Sequence, residues 1–546
     1  MRDGAPESRH GCTRPSSLLL ARVNAITMSD EKTATDVAAG AERDAPQVSE
    51  NETARLNASG HVQELRQSFS LLSLAGIGLV VGNVWPAIGG SILVAIFNGG
   101  PPGVLYEFIA VSICYWNVAA SIAELASAIP SSAGVYHWAS VTSGSRRWGR
   151  PLGFFAGWWN YFAWILGAAS MTSIFGNTIV QMYAVMHPEF VAEAWHVFVV
   201  YVIFTWVSCA AVCLGNKAMP ALNNFGVFAI LAFFIVTIIV VTVMPSSHAT
   251  SSFVWSDWSA AIGYPDGFVF VAGMLNGAYS VGAVDAVTHL AEEIPRPERN
   301  VPIALFLQIS IGFVTGLSYL IAVLYAISDY DLLFTSAYPI AEIYRQATGS
   351  GSGACGLLSL VMICIGLTVV GLHITCGRTL WTLARDGATP FPSKLARVNQ
   401  KLEVPVVTTF LSACLITLLG VLYVGSTTAF NAFVGSFILL SSSSYLAAIL
   451  PNLLTGRKNI TYGPFRMTGI VGFVVNGISC LYMLGWAVVY CFPAALPTNA
   501  QSMNYASLIW GGLTIFVTAF WLLKARKGYQ GPSTTGQRGS VRPVDA

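Results

Sequence analysis

Two stretches of this chain place recognition chemistry where a membrane helix should have none. In "VVGNVWPAIGGS", residues 80–91, Asn83 and Trp85 stand beside Pro86 and the glycines Gly89 and Gly90. In "MLNGAYSVGAVDAV", residues 274–287, Gly277 and Gly282 bracket Tyr279 and Ser280, with Asp285 just beyond. Proline has no N–H and its ring clashes with the preceding turn, so Pro86 frees carbonyls near Gly82 and Asn83, and the glycines relax the chain further. Freed carbonyls, an amide, hydroxyls and ring faces can hold a small polar or cationic molecule without covalent chemistry. Asp285 adds an intramembrane carboxylate, whose natural counterpart is a cation or a proton.

The elements that must position these residues are membrane spans. Of 546 residues, 54% are hydrophobic and 10% charged, with a mean hydropathy of +0.62, whereas soluble domains carry roughly 25% charged residues. About twelve apolar stretches approach or exceed the ~20 residues that cross hydrocarbon as helix: 69–98, 103–123, 152–186, 195–214, 218–244, 267–288, 303–327, 354–383, 406–424, 429–450, 467–492 and 505–523. β-barrel strands would be shorter and alternate in polarity. The expected fold is therefore an all-α membrane protein. Its first and sixth spans are each interrupted near mid-depth, where irregular backbone is tolerated only inside protein or beside a wet cavity. Interruptions five spans apart are the sequence pointer to inverted repeats that bind a ligand between them.

Basic residues set an orientation. With the first tail in the cytoplasm, Arg146, Arg147, Arg150, Lys217, Arg296, Arg299, Arg385, Lys394, Arg397, Lys401, Arg457, Lys458 and Arg466 all become cytoplasmic, and the opposite face keeps Arg345. These charges are loop anchors rather than a basic patch with interleaved aromatics, so no nucleic-acid partner is expected. The tails, 1–68 and 525–546, are too polar to fold alone and are expected to be disordered and cytoplasmic. The triplets at Asn51, Asn57 and Asn459 then face the cytoplasm and should carry no glycan. The ten cysteines include no CxxC spacing, and no HExxH, GxSxG or P-loop motif occurs. No enzyme, cofactor or metal is expected. A channel would not need two matched interruptions, and a nutrient sensor would favour a structured signalling tail.

Further segments run in order with the first two: "NGGPPGVLYEF", "SIAELASAIPSSAGVYHWAS", "GFFAGWWNYFAW", "HLAEEIPRPERNVP", "GRTLWTLARDGATPF" and "YVGSTTAFNAFVGS". Together they resemble the amino acid, polyamine and organocation transporter superfamily, most closely its fungal branch of choline and γ-aminobutyrate permeases. The resemblance covers nearly all of 69–524. It implies a five-plus-five inverted repeat (69–244 and 267–450) followed by two extra helices (467–523), with spans one, three, six, eight and ten around the substrate. It also implies a bundle that rocks against a scaffold in a fungal plasma membrane.

Choline is the substrate this resemblance favours, and γ-aminobutyrate, another amino acid or a polyamine is the alternative. A quaternary ammonium donates no strong hydrogen bond and is recognised by ring faces, which Trp85, Tyr161, Trp164, Tyr279 and Phe433 could supply on the cavity spans. Asn83, Ser280 and Asp285 complete the expected site. An amino acid would instead place its carboxylate on backbone N–H groups after Trp85 and Asn276. Some relatives carry a built-in lysine in the fifth helix; here that helix offers Asn223 and Asn224, which leaves proton co-transport open, and His373 reads as a packing residue. For the gate, Glu124, Glu292 and Glu293 are expected to meet Arg146, Arg147, Arg296 or Arg299, with Glu292 and Arg147 as the named pair.

Overall fold

The computed structural model describes residues 70–92, 97–336, 338–425, 429–500 and 502–532. The expectations for residues 1–68, for Asn51 and Asn57, and for 533–546 fall outside them. Among the described residues, eleven helical stretches are long and apolar enough to cross a membrane, and Val406–Leu422 is a shorter apolar helix. The all-helical expectation holds.

The first span is split into α1 (Leu71–Val81) and α2 (Val84–Gly90). The second is α3 (Gly100–Ala128), followed by a short α4 (Val135–Thr142) and a 41-residue third span, α5 (Arg146–Met186). Then come α6 (Ala194–Leu214), α7 (Met219–Val243) and the sixth span, in which α8 (Asp266–Val281) gives way to a 3-10 segment, Val284–Glu293. The rest are α9 (Pro297–Tyr325), a short α10 (Pro339–Thr348), α11 (Gly351–Arg385), α12 (Val406–Gly425), α13 (Ala429–Leu454), α14 (Gly469–Val489) and α15 (Ala506–Phe520). Local chemistry starts many of them. Ser70, Ser145 and Ser350 accept backbone N–H groups at the starts of α1, α5 and α11, and prolines occupy the first turns of α3, α7 and α9.

The interruptions lie where backbone bonding fails, which is not quite where the glycines cluster. In the first span Gly82 N–H still bonds Gly78 O at 2.8 Å, and Ala87 N–H bonds Asn83 O at 3.1 Å. Pro86 has no N–H to give Gly82, so the helix parts at Gly82 and Asn83 and re-forms at once. Gly89 and Gly90 stay helical; a Cβ on Gly89 would lie 2.5 Å from the Tyr319 hydroxyl, so that glycine permits a close approach rather than a turn. In the sixth span the helix continues through Tyr279 and Ser280 and parts at Gly282 and Ala283, later than the Gly277 and Gly282 pair suggests.

One side chain serves both interruptions. Gln308 of α9 is 2% exposed, and its Nε2 donates to Ala283 O at 2.8 Å. The same amide presses against Gly78 and Gly82, leaving no room for a methyl group on either. From α11, Thr368 Oγ1 donates to Val80 O at 2.7 Å and accepts Asn83 Nδ2 at 3.0 Å. A buried carbonyl left without its donor costs about 1–3 kcal/mol. Gln308→Leu should therefore lower the melting temperature of the detergent-purified protein by a loss of that size; an unchanged melting temperature would show that the Ala283 carbonyl finds another donor.

Candidate functional site

Where the two interrupted spans meet α5, α11 and α13, the structure encloses a cavity of about 20 Å³. It is lined by Val81 from the first span, Trp164, Gly167 and Met171 from α5, Tyr279, Ser280 and Ala283 from the sixth, Leu372 from α11 and Phe437 from α13. These are spans one, three, six, eight and ten. A space of that kind needs about 10–15 Å³ to hold one water, so the site is narrowed to room for one or two waters.

Aromatic faces dominate it. The Trp164 and Phe437 rings lie 5.8 Å apart, and Tyr279 and Phe437 meet edge to face at 6.0 Å. The Tyr279 hydroxyl pairs with Ser170 Oγ at 2.7 Å, which fixes that ring, and Ser280 Oγ donates to Asn276 O at 3.1 Å. Trp164 Nε1 is buried without a partner among the described residues. Among the described residues no charged side chain lines the cavity.

Of the residues singled out from sequence, Trp164, Tyr279 and Ser280 come together here. The others do not. Asn83 is bonded to Thr368, and Trp85 packs against Tyr319 and Phe234 with ring centroids 5.4 and 6.3 Å away. Tyr161 turns its hydroxyl to Ser412 Oγ at 3.1 Å, toward α12. Phe433 is buried one turn before Phe437, so its helix is right but its depth is wrong.

Asp285 lies two residues beyond the cavity-lining Ala283, and its carboxylate is already engaged. It accepts from Tyr445 Oη at 2.5 Å and Asn160 Nδ2 at 2.6 Å, and pairs with His289 Nε2 at 3.0 Å. His289 Nδ1 faces Ser132 O at 3.3 Å, and its ring meets Trp164 edge to face at 6.3 Å. The carboxylate thus joins the 3-10 segment to α5 and α13 and sits behind one wall of the cavity.

The expected gate partners are replaced. Glu292 forms two bonds of 2.9 Å to Arg385, Glu293 is clasped by Arg378, and Glu124 pairs with Arg457 and accepts Met467 N–H at 2.8 Å. Arg147 is exposed and lies over the Trp148 ring at 5.9 Å; Arg296 is exposed at the start of α9 with φ of 48°. The reason is helical phase. Arg378 and Arg385 are seven residues apart, two turns along one face of α11, which presents both to the acidic end of the 3-10 segment. All three pairs lie on the face that carries the basic loops. On the opposite face opens a vestibule of about 840 Å³, whose walls include Asn98, Ala272, Leu275 and Tyr490.

Sequence reasoning missed Val81, Met171, Leu372, Phe437, Gln308 and Arg378. The usable signals were Gln308 and Arg378, polar side chains within apolar helices; the apolar lining residues look like any others on their helices.

A family model described as "Amino acid permease" matches residues 69–513. The chain is 33% identical over 480 residues to a "Choline transporter" of Saccharomyces cerevisiae, covering 86% of this chain and 84% of that protein. It is 31% identical to "Transmembrane transporter swnT" of Metarhizium robertsii, over 86% of this chain and 93% of that one. It is 28% identical to "Amino-acid permease BAT1 homolog" of Oryza sativa subsp. japonica, over 88% and 95%. Among solved structures, a mutant manganese transporter of Eremococcus coleocola superposes with a TM-score of 0.51 at 15% identity, covering 83% of this chain and 94% of that one, a likeness of fold.

Removing one partner of a buried ion pair costs ~3–5 kcal/mol, whereas an exposed charge is usually within about 0.5 kcal/mol of neutral. Arg378→Gln and Arg385→Gln should each depress thermal stability strongly and Arg147→Gln hardly at all. Equal effects in the three variants would show that Arg147 holds a buried partner of its own.

Proposed function

Because the chain belongs to the amino acid permease family, we propose that it is a secondary-active permease importing a small organic cation, most favourably choline, by alternating access. The observation that carries this reading is the cavity itself: three rings, Trp164, Tyr279 and Phe437, converge there and, among the described residues, no basic side chain does. A quaternary ammonium gains roughly 0.5–2 kcal/mol from each such face, more as water is excluded. The carboxylate of γ-aminobutyrate or another amino acid would have to rest on backbone N–H groups at an interruption, and among the described residues no basic side chain lines the space to assist it. The similarity to a yeast choline transporter points the same way.

Asp285 supports a cation through space. Its oxygens are held by three partners, so it supplies negative potential behind Trp164 rather than direct contact. Asn83, Trp85, Tyr161 and Phe433 hold the surrounding helices. The two interruptions, five spans apart, support repeats at 69–244 and 267–450 with 467–523 as extra helices. The basic loops support a cytoplasmic placement of both termini, and a fungal plasma membrane suits an importer of this class. The ion-paired face is then the cytoplasmic gate, closed here, and the vestibule opens outward.

Saturable uptake of labelled choline in a transport-deficient fungal cell tests the reading. Trp164→Ala, Tyr279→Ala and Phe437→Ala should each raise the half-saturation concentration by about 5- to 30-fold, the equivalent of 1–2 kcal/mol, with Phe433→Ala changing it less than about 2-fold. Saturable uptake of γ-aminobutyrate or a polyamine in place of choline would keep the permease and replace its substrate. Flux without saturation or counterflow would indicate a channel, and binding without uptake a sensor.

A further inference from the structure

Glu107 lies seven residues into α3, about 10 Å along the helix from Gly100 at 1.5 Å per residue. It is 1% exposed, and neither carboxylate oxygen has a hydrogen-bond partner among the described residues. The carboxyl lies flat against the backbone of α8 at Gly273, where a methyl group would collide with the carboxyl carbon and both oxygens. It stands directly behind the vestibule wall. Gly273 follows Ala272, a wall residue, and Tyr490, another, is close enough to interact with the Glu107 charge.

An ionised carboxylate in that position would face hydrocarbon-like packing with nothing to neutralise it. The sequence of α3, α8 and α14 contains no Lys, Arg or His, and α9 has Arg299 only at its far, cytoplasmic end. The titratable groups on these elements are otherwise acids, thiols and phenols: Tyr106, Cys114, Tyr115 and Glu124 on α3 itself, Asp266 and Tyr279 on α8, Glu298, Tyr319 and Tyr325 on α9, and Cys480 and Tyr482 on α14, the last bonded at 3.2 Å to Tyr490 just beyond that helix. Stranding an unpaired charge there costs far more than holding a neutral acid. The vestibule-side half of the sixth span is therefore seated on a carboxyl that can tolerate it only while protonated.

We propose that Glu107 is a proton-binding site that controls closure of the vestibule face. With α8 displaced about the Gly282–Ala283 interruption, vestibule water reaches the carboxylate and it ionises. For α8 to return, one proton from the outer solution adds to a carboxylate oxygen, the charge is cancelled, and Gly273 packs against the neutral group. Each closure takes up one proton from that side. This extends the permease reading above and uses a group separate from the cavity and from the cytoplasmic ion pairs.

Two measurements test it. In purified full-length protein at about pH 8, well above the ordinary glutamate range, infrared absorption should show a protonated-carboxyl stretch that Glu107→Gln removes. Identical spectra overturn the proposal whatever the substrate is. In proteoliposomes, choline counterflow by the unmodified protein tests the substrate reading by itself. Where counterflow is present, raising the vestibule-side pH should slow it by up to ~10-fold per pH unit for a single linked proton. Glu107→Gln should flatten that slope and Glu107→Asp restore it, whereas a slope unchanged in Glu107→Gln overturns the proposal. A carboxyl band lost in Glu107→Gln without choline counterflow would leave the proton site standing and remove choline.

Discussion

Within hydrocarbon no water is on hand to satisfy a backbone group that leaves its helix, and each interruption therefore has to recruit protein partners. The Gly82–Asn83 and Gly282–Ala283 interruptions do so from three directions. Gln308 reaches Ala283 from α9, Thr368 reaches Val80 from α11, and the Tyr445 hydroxyl of α13 lies 3.4 Å from Gly282 O. Two broken helices thereby fix the placement of three intact ones. The glycines near them matter mainly through closeness: Gly78 and Gly82 let the Gln308 amide lie against the backbone, and no larger residue would.

Charges in the spans obey a related rule. Asp285, Glu292, Glu293 and Glu124 are all buried, and each has one or more strong partners. Such pairs are poor stabilisers compared with well-packed apolar groups, because desolvation consumes most of the attraction. Their value is conditional. A dry, paired arrangement is tolerable, and so is a wet, separated one, but a dry, separated one is not. An interface built from Glu292–Arg385 and Glu293–Arg378 is thus strongly two-state, which is what a gate requires and what a packed apolar interface would not give.

Much of this architecture was legible in the sequence because hydrophobic length and helix-breaking residues are local signals. The spans, the two interrupted helices and the contributions of Tyr279 and Ser280 followed from them, whereas Trp164 came from the resemblance. Depth and rotation were not local. Phe433 and Phe437 lie one turn apart on an apolar helix, and only packing against Trp164 and Tyr279 selects the deeper ring. The partners of Glu292 and Glu293 were hidden for a similar reason: Arg385 reads as a loop anchor until α11 is seen to continue through it, and Arg378 then falls on the same face. Asp285 reads as unusual in the sequence, but two of its three partners come from α5 and α13, 125 and 160 residues away.

The asymmetry between an 840 Å³ vestibule on one face and a 20 Å³ cavity above buried ion pairs on the other has an electrical consequence. Water in the vestibule carries the potential of its bathing solution deep into the protein, so the transmembrane voltage falls mainly across the thin layer of rings and ion pairs that remains. A unit charge crossing the full voltage exchanges ~2.3 kcal/mol per 100 mV, and here most of that work would be done over a short distance near Trp164, Tyr279 and Phe437. A layer that holds so little water would insulate, and it would concentrate an applied voltage at the place where any charged cargo crossed.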